Sequence, residues 1–452
     1  MSKILLISHI FPPAIDGGSK VVYKLGQQFE ARGHTTLYLS SNCASTDDFV
    51  NKYKVSLFKG KTGSSGKGLI KLPVYTFLRK PLKFINLFIP RKTYLHQFFK
   101  VCQKGPIFKF FPFLKATIKI IKFKPDLIVA GPLPTTIVLY SSLLKNIINN
   151  VTNFPSFLQR RGLRGRFCKL LINSSFHPTD SDFHQKPLIK ALQSADYLWT
   201  LTQFETNYFI KNFHINPNKI ILAGNGVDSD FLKNPSVLET SPLEKREKLL
   251  TPCPACPPKW RVKGRVREGF NILFIGSLSA HKRVDLLINS FSLLLKAKSY
   301  LLPAKLIIAG QKTLFYPQIK KTLELLSPKI KSNIKFIYNF PQNKLAKLID
   351  NCTFLVLPSI QESFGLVLIE SWARGKPVIA SDIPPLSELI DQSHGGLTFK
   401  HDNLLDLQKQ MEKLINSPEI CYQYGQNGFK YVKTNYIWKK VSQKICQKLE
   451  LF

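Results

Sequence analysis

Short runs of consecutive apolar residues recur along the chain, separated by stretches in which apolar residues have helical spacing. The strands predicted on such runs include Ile4–Ser8, Pro125–Ala130 and Phe354–Leu357. Runs of this length without polar alternation are typical of parallel strands that are buried on both faces. Strands of this kind alternating with helices predict an α/β protein built on doubly wound sheets.

The clearest strand–helix–strand unit lies between Cys352 and Asp382. The apolar run is followed by a mostly polar loop at Ser359–Ser363 and by helical spacing from about Gly365. Gly375 is a typical helix stop, and Pro377–Ala380 begins the next predicted strand. Ligands of open parallel sheets bind beyond the carboxyl ends of the strands, where this loop is predicted to lie.

Two glutamates, Glu362 and Glu370, belong to this loop and its helix. A carboxylate at such a junction can accept hydrogen bonds from ligand hydroxyls, while a helix N-terminus favours a phosphate. The other interpretation is that Glu362 compensates its own helix dipole and Glu370 lies on a solvated face. The backbone that would bind the ligand is formed by Ser363, Phe364, Gly365 and Leu366.

The same stretch resembles the signature of the family 4 glycosyltransferases, which are retaining, nucleotide-sugar-dependent enzymes of the GT-B fold. The matching residues are Pro358, Ser359, Glu362, Phe364, Gly365, Leu366, Val367, Glu370, Ala373, Gly375, Pro377 and Val378; Ser371 replaces the usual alanine. The resemblance implies that Glu362 holds hydroxyls of the donor sugar and that Glu370 holds the ribose.

A second candidate loop follows the predicted strand Asn271–Ile275. A glycine turn at Gly276 with Lys282 at a helix start suits a diphosphate, although a turn with a solvated Lys–Arg pair is the alternative. The family has G-R-L-x-x-x-K at this place, with both cations on the donor diphosphate. Here Ser277 replaces the arginine, and we expect Arg283 to be the residue that compensates.

The first half carries two further landmarks of the resemblance. Gly17 and Gly18 precede a helix predicted at Lys20–Ala31, where bare amides can meet a phosphate or the acceptor; a plain turn is the alternative. His177 follows a strand predicted at Leu170–Phe176 and resembles the family's active-site histidine, although a surface histidine before proline is common.

Charge is distributed unevenly. The 452 residues contain 65 Lys and Arg against 28 Asp and Glu, a net charge of +37. Between Phe49 and Thr179 there are 24 basic residues and one acidic residue, Asp126. Such a surface attracts polyanions, which include lipid headgroups, nucleic acid and phosphorylated substrates.

The segment from about residue 52 to 124 mixes these basic residues with Phe and Leu, a composition typical of the membrane interface. Core-facing helices with solvated lysines are the alternative, and stacking on nucleic-acid bases is a third one that no recognisable motif supports. The predicted membrane patch consists of Arg79, Lys80, Lys83, Arg91 and Lys92. Without a signal peptide or a membrane-spanning run, we expect a cytoplasmic protein, peripheral on the inner face of the cell membrane, with reduced cysteines.

The chain is therefore predicted to form two doubly wound Rossmann-like domains that face each other across a cleft, in the GT-B arrangement. We expect an acceptor-binding domain at 1–230, a linker at 231–270, a nucleotide-sugar domain at 271–430 and a C-terminal helix at 431–452 that returns to the first domain. Within the linker, Cys253 and Cys256 form a lone C-x-x-C, either a metal or redox site or an exposed insertion.

The resemblance implies a retaining glycosyltransferase that uses a UDP- or GDP-type nucleotide-sugar and no metal. Its acceptor is expected to be a lipid, a lipid-linked glycan or another glycan. Catalytic roles fall to Glu362, Lys282 and His177. The alternatives are a non-catalytic protein that binds polyanions or nucleic acid on this scaffold, and a sugar-nucleotide epimerase or a phosphorylase.

Overall fold

The computed structural model describes residues 1–11, 17–41, 68–74, 86, 89–90, 93–102, 106–133, 135–152, 167–178, 180–232, 261–262, 265–266, 269–297 and 304–451. The chain divides into two compact units. The first comprises residues 1–226 and 438–452, and the second comprises residues 227–437. The predicted membrane patch and the Cys253–Cys256 pair both lie outside the described residues.

The first unit is built on a seven-stranded parallel sheet with the order β3-β2-β1-β4-β5-β6-β7. Its strands are β1 Lys3–Ile7, β2 Thr35–Ser41, β3 Leu69–Leu72, β4 Leu127–Ala130, β5 Lys169–Asn173, β6 Tyr197–Thr200 and β7 Ile220–Leu222. Ile4, Leu5, Leu6 and Ile7 are all inaccessible to solvent. Because consecutive strand residues point to opposite faces, both faces of the sheet are covered at β1.

The described α-helices of the first unit come mainly between its strands. They are α1 Gly17–Glu30, α2 Tyr94–Cys102, α3 Phe110–Phe123, α4 Thr136–Thr152, α5 Lys186–Ser194 and α6 Gln203–Phe213, with the last helix of the chain, Trp438–Leu449, added from the far end. Apolar residues of α2 to α6 join those of the sheet in one core cluster.

The second unit has a six-stranded parallel sheet with the order β12-β11-β10-β13-β14-β15. A two-stranded antiparallel ribbon, β8 Arg261–Val262 and β9 Arg265–Val266, precedes it. The strands of the sheet are β10 Phe270–Ile275, β11 Ala304–Gly310, β12 Ile334–Tyr338, β13 Phe354–Leu357, β14 Val378–Ser381 and β15 Gly396–Phe399. β13 and β14 are buried at every position, as their largely apolar sequences predict.

The α-helices of the second unit are α7 Val284–Lys296, α8 Tyr316–Glu324, α9 Pro328–Lys331, α10 Leu345–Asp350, α11 Leu366–Ala373, α12 Pro384–Ser393, α13 Leu404–Asn416 and α14 Pro418–Asn435; the last helix of the chain is α15. Several begin where the sequence supplies a start signal. Asn403 caps α13 by accepting from the Asp406 amide at 3.0 Å, and prolines stand in the first turns of α8, α12 and α14.

Several predicted boundaries differ from the structure, as three examples show. Helix α1 begins at Gly17 rather than Lys20, so Gly17 and Gly18 form its first turn. Strand β5 ends at Asn173, and the left-handed φ of 41° at Ser175 shows why it does not continue. The strand predicted at Tyr197–Thr202 ends earlier, as β6 at Thr200, because Thr202 caps α6 and accepts the Glu205 amide.

Within the described part of the chain, no helix combines the length and the apolarity that crossing a bilayer requires.

Candidate active site

The second sheet brings two loops together that are far apart in sequence. Strand β10 lies between β11 and β13, with Ile272 opposite Phe354. The strand order therefore reverses between β10 and β13, and the loops leaving these two strands border a crevice. The loop after β10 carries Lys282, and the loop after β13 carries Glu362.

Lys282 and Glu362 meet at this reversal. The ammonium of Lys282 donates directly to Glu362 Oε1, and the Ser359 hydroxyl donates to the same oxygen at 3.0 Å. Only 17% of the lysine side chain and 12% of the glutamate side chain are exposed. A largely buried pair attracts more strongly than a surface pair, because less water screens it. The site thus holds one cation and one carboxylate ready for a polar ligand.

The glycine turn after β10 is pressed against the end of β11. The Gly276 amide donates to the Ala309 carbonyl at 3.0 Å, and the Leu278 amide donates to the Gln311 carbonyl at 2.9 Å. A Cβ placed on Gly310 would lie 1.7 Å from the Gly276 carbonyl oxygen. Gly310 is therefore needed for this close backbone approach. If the Gly276 amide also donated a hydrogen bond to a phosphate, as predicted, it would have to share its hydrogen between that phosphate and the Ala309 carbonyl.

Arg283 and Ser277 occupy different surroundings from Lys282. Arg283 has a left-handed φ of 47°, and its guanidinium is bound to Asp402 and, at 3.4 Å, to Asp285. Ser277 Oγ lies 3.1 Å from Ser279 Oγ. A ligand would have to draw Arg283 away from two carboxylates before the guanidinium could replace the missing family arginine.

His281 is a neighbour of the ion pair that the sequence did not single out. Its carbonyl accepts the Ile360 amide at 2.9 Å, which ties the loop after β10 to the loop after β13. Burial, and then the charge of Lys282, lower the pKa of His281, while Glu362 opposes the shift. The only signal in the sequence was its position beside Lys282, and a histidine before lysine is too common to be informative.

Helix α11 begins directly behind Glu362. Gly365 precedes it with a left-handed φ of 76°, and a Cβ there would lie 2.8 Å from the Leu386 side chain. Phe364 is buried, with its ring 5.4 Å from that of Tyr436, so only its backbone is available to a ligand. Ser363, Leu366 and Glu370 are half-buried. The first amides of such a helix have no partner inside the helix, which suits an anion.

The first sheet has its own reversal of strand order, between β1 and β4. There the Ser8 hydroxyl donates to the Gly131 carbonyl at 2.8 Å. A Cβ on Gly18 would come within 2.5 Å of the Pro132 ring. Gly18 is therefore required for packing of the first turn of α1 against the loop after β4, a role that the predicted loop position did not suggest.

His177 lies on the loop after β5, half-buried, with its ring 5.4 Å from that of Phe183. The preceding residue, Phe176, is buried among several aromatic rings. They belong to Phe183, His184, Tyr208, Phe209 and Phe213. This packing fixes the backbone from which the histidine projects.

Glu205 also holds the His177 loop and was missed by the sequence interpretation. It is 2% exposed; one carboxylate oxygen accepts the Phe176 amide at 2.9 Å, and the other accepts the Leu201 amide at 2.5 Å. The carboxylate thereby joins the loop after β5 to the loop after β6. Its sequence signal was a glutamate three residues after Thr202, the spacing of a helix-capping box.

Metal ligands do not gather in the part of the chain that the structure describes: no group of three or more His, Cys, Asp or Glu side chains there could hold an ion.

Comparison with known proteins finds a family match within the second unit. Residues 258–431 match the family model described as Glycosyl transferases group 1. An uncharacterized glycosyltransferase of Methanocaldococcus jannaschii is 28% identical over 56% of this chain and 65% of its own length. D-inositol 3-phosphate glycosyltransferase of Corynebacterium diphtheriae is 23% identical over 56% of each protein. The chain thus spans less than two thirds of either relative.

The whole chain also resembles solved structures. The crystal structure of Anabaena HepE in complex with UDP and glucose superimposes with a TM-score of 0.66, 15% identity and complete coverage of both chains. At this identity the similarity establishes the fold, which is GT-B, as the sequence predicted.

Proposed function

We propose that the protein transfers a sugar from a nucleotide-sugar to a hydroxyl acceptor with retention, because residues 258–431 match the model for group 1 glycosyl transferases and the chain has a GT-B fold. The observation that carries the proposal is the contact between Lys282 and Glu362 at the strand-order reversal. A cation, a carboxylate and a helix N-terminus adjoin the edge where parallel sheets bind ligands.

The chemistry follows from the charges. As the bond between the anomeric carbon and the diphosphate oxygen breaks, negative charge grows on the diphosphate, and Lys282 and the first amides of α11 stabilise it. Glu362 holds hydroxyls of the donor sugar, and Glu370 holds the ribose. The acceptor oxygen bonds to the same face of the anomeric carbon, and its proton passes to the leaving phosphate oxygen. His177 helps to place the sugar or the acceptor.

The substrates are proposed by chemical class. The donor is a UDP- or GDP-type nucleotide-sugar; HepE, which shares the fold, was crystallised with UDP and glucose. The acceptor is a lipid or lipid-linked glycan met at the inner face of the cell membrane, in keeping with the strong positive charge of residues 49–179. Catalysis needs no metal, so activity should persist in EDTA.

The test is a screen of nucleotide-sugars for release of nucleoside diphosphate in the presence of membrane extract, followed by identification of the glycosylated product. Glu362→Ala should depress turnover more than it weakens nucleoside diphosphate binding. Product whose anomeric configuration is inverted would refute retention. Release without any glycosylated product would leave hydrolysis as the activity and contradict the proposed transfer.

Ser277 in place of the family arginine and the basic first half favour one other candidate, a non-catalytic polyanion-binding protein on the same scaffold. That candidate requires nucleotide-sugars to remain intact in the screen while RNA or another polyanion binds tightly.

A further inference from the structure

Helix α3 exposes an apolar face in the first unit. Phe110 is 62% exposed, Phe111 73%, Leu114 46% and Ile118 48%. Four exposed lysines flank these side chains, namely Lys109, Lys115, Lys119 and Lys122. We call these eight residues the α3 face.

The opposite side of the same helix is fixed in the core. Ala116, Thr117 and Ile120 are buried, and the half-buried Phe113 lies with its ring 6.0 Å from that of Phe108 in a stacked arrangement. The helix therefore has a conventional core-facing stripe and, in addition, a second apolar stripe directed at solvent. Large apolar side chains gathered on a surface usually mark an interaction site.

The charges of the α3 face indicate the chemistry of its partner. Helix α3 contains no acidic residue, and Asp126, which follows it, accepts the backbone amide of Lys3 at 2.8 Å. The partner must therefore offer negative charge beside apolar material. A nucleic acid would match the lysines but leave the Phe and Leu side chains in water, and an apolar protein surface would leave the lysines without counter-charges. An anionic bilayer satisfies both sets, because lysines meet headgroups while aromatic rings enter the acyl boundary.

We propose that the α3 face docks on an anionic lipid bilayer, with Phe110, Phe111, Leu114 and Ile118 inserted below the headgroups. This inference rests on the proposed function and deepens it, since it names the surface through which the enzyme reaches a lipid-borne acceptor. The α3 face lies within the segment 52–124 whose composition is typical of the membrane interface, but it shares no residue with the predicted patch at Arg79–Lys92, which lies outside the described residues.

The first experiment measures co-sedimentation of the full chain with vesicles of equal parts phosphatidylglycerol and phosphatidylcholine, and with phosphatidylcholine alone. The wild-type protein should bind the anionic vesicles, release as salt rises, and bind the neutral ones weakly. Phe110→Ser with Phe111→Ser should weaken binding about tenfold or more, since two inserted rings are lost. Lys115→Glu with Lys119→Glu and Lys122→Glu should weaken it by about a hundredfold.

Matched controls come from the second unit. Leu325→Ser removes a side chain that is 88% exposed, and a triple change at Lys320, Lys321 and Lys329 to Glu alters net charge by the same amount. Both controls should retain vesicle binding. Unchanged thermal unfolding of every variant establishes that the altered side chains act at the surface.

The second experiment reports insertion directly. The fluorescence of the tryptophan introduced by Phe111→Trp should be quenched by brominated phospholipids. The fluorescence of the tryptophan introduced by Leu325→Trp should not be quenched. Equal binding of wild-type and α3-face variants, or quenching at Leu325→Trp alone, would overturn the proposal. Tight RNA binding abolished by the lysine changes, with no vesicle binding, would overturn it too. Neither experiment depends on turnover, so glycosyl transfer without vesicle binding would refute the α3 face and leave the proposed function standing.

Discussion

The Lys282 ammonium donates directly to the Glu362 carboxylate, although 80 residues separate them in sequence. The pair joins the loop after β10 to the loop after β13, and a ligand diphosphate near Lys282 would compete with Glu362 for the cation. The same contact thus ties the two loops together and holds the cation beside the carboxylate.

The first prediction concerns this pair. Lys282→Met should slow turnover about tenfold to a thousandfold, because leaving-group charge grows in the transition state. Without ligand, Lys282→Met and Glu362→Gln should not be additive in free energy of unfolding, with a coupling of about 0.5–3 kcal/mol in urea titrations.

The control for that cycle is the more exposed pair Arg283–Asp402, for which about 0–1 kcal/mol of coupling is expected. Additive effects at Lys282 and Glu362 would show that their contact contributes nothing to stability.

The second prediction concerns Glu370. Glu370→Gln should weaken nucleoside diphosphate binding about tenfold or more, because ribose hydroxyls lose a charged acceptor. Calorimetric titration of each variant measures the change, and Glu324→Gln, on the exposed side of α8, is the matched control. Equal affinity of the Glu370 variant and the control would show that Glu370 does not belong to the donor site.

The third prediction restores the family cation. Ser277→Arg should tighten nucleoside diphosphate binding about fivefold or more, since a guanidinium binds phosphate oxygens in pairs. Ser332→Arg adds the same charge at an exposed position of the second unit and should have little effect. Weaker binding by Ser277→Arg would show that this loop does not bind the diphosphate in the way that the family motif implies.

The fourth prediction is a pH dependence. The pKa of His281 is lowered by burial and by Lys282, so the folded protein keeps this ring neutral where the unfolded chain protonates it. The free energy of unfolding should therefore fall as the pH drops below about 6.5. His281→Gln should flatten that fall in urea unfolding curves, whereas His214→Asn, at an exposed helix end, should leave it intact. A steeper fall for His281→Gln would contradict the sign.

The fifth prediction concerns Glu205. Glu205→Ala leaves the buried amides of Phe176 and Leu201 without their acceptors and should cost about 1–3 kcal/mol for each in urea unfolding. Glu205→Gln keeps one acceptor oxygen and should cost less. Glu450→Ala, at an exposed position near the chain end, serves as the control. Similar stability of all three variants would show that the carboxylate does not hold the His177 loop.

The fold could be predicted from the sequence because each strand has a local sequence pattern that distinguishes it. The run Phe354–Leu357 coincides with β13, and the glycine at 365 marks the start of α11. Fully buried parallel strands need apolar residues on both faces, so their sequences differ from those of helices and loops. Element boundaries were harder to predict where tertiary packing overrides local preference, as at Gly18, which packs beside Pro132.

By itself, the sequence determined that the chain is α/β, that Glu362 and Lys282 stand in loops after strands, and that the first half is strongly basic. Only the tertiary structure decided that these two residues touch, that Asp402 and Asp285 bind Arg283, that Glu205 joins two loops, and that α3 exposes phenylalanines. The physical reason is that burial and apolar periodicity are local properties of the chain. Side-chain partners, in contrast, depend on strand order and register, which long-range packing sets.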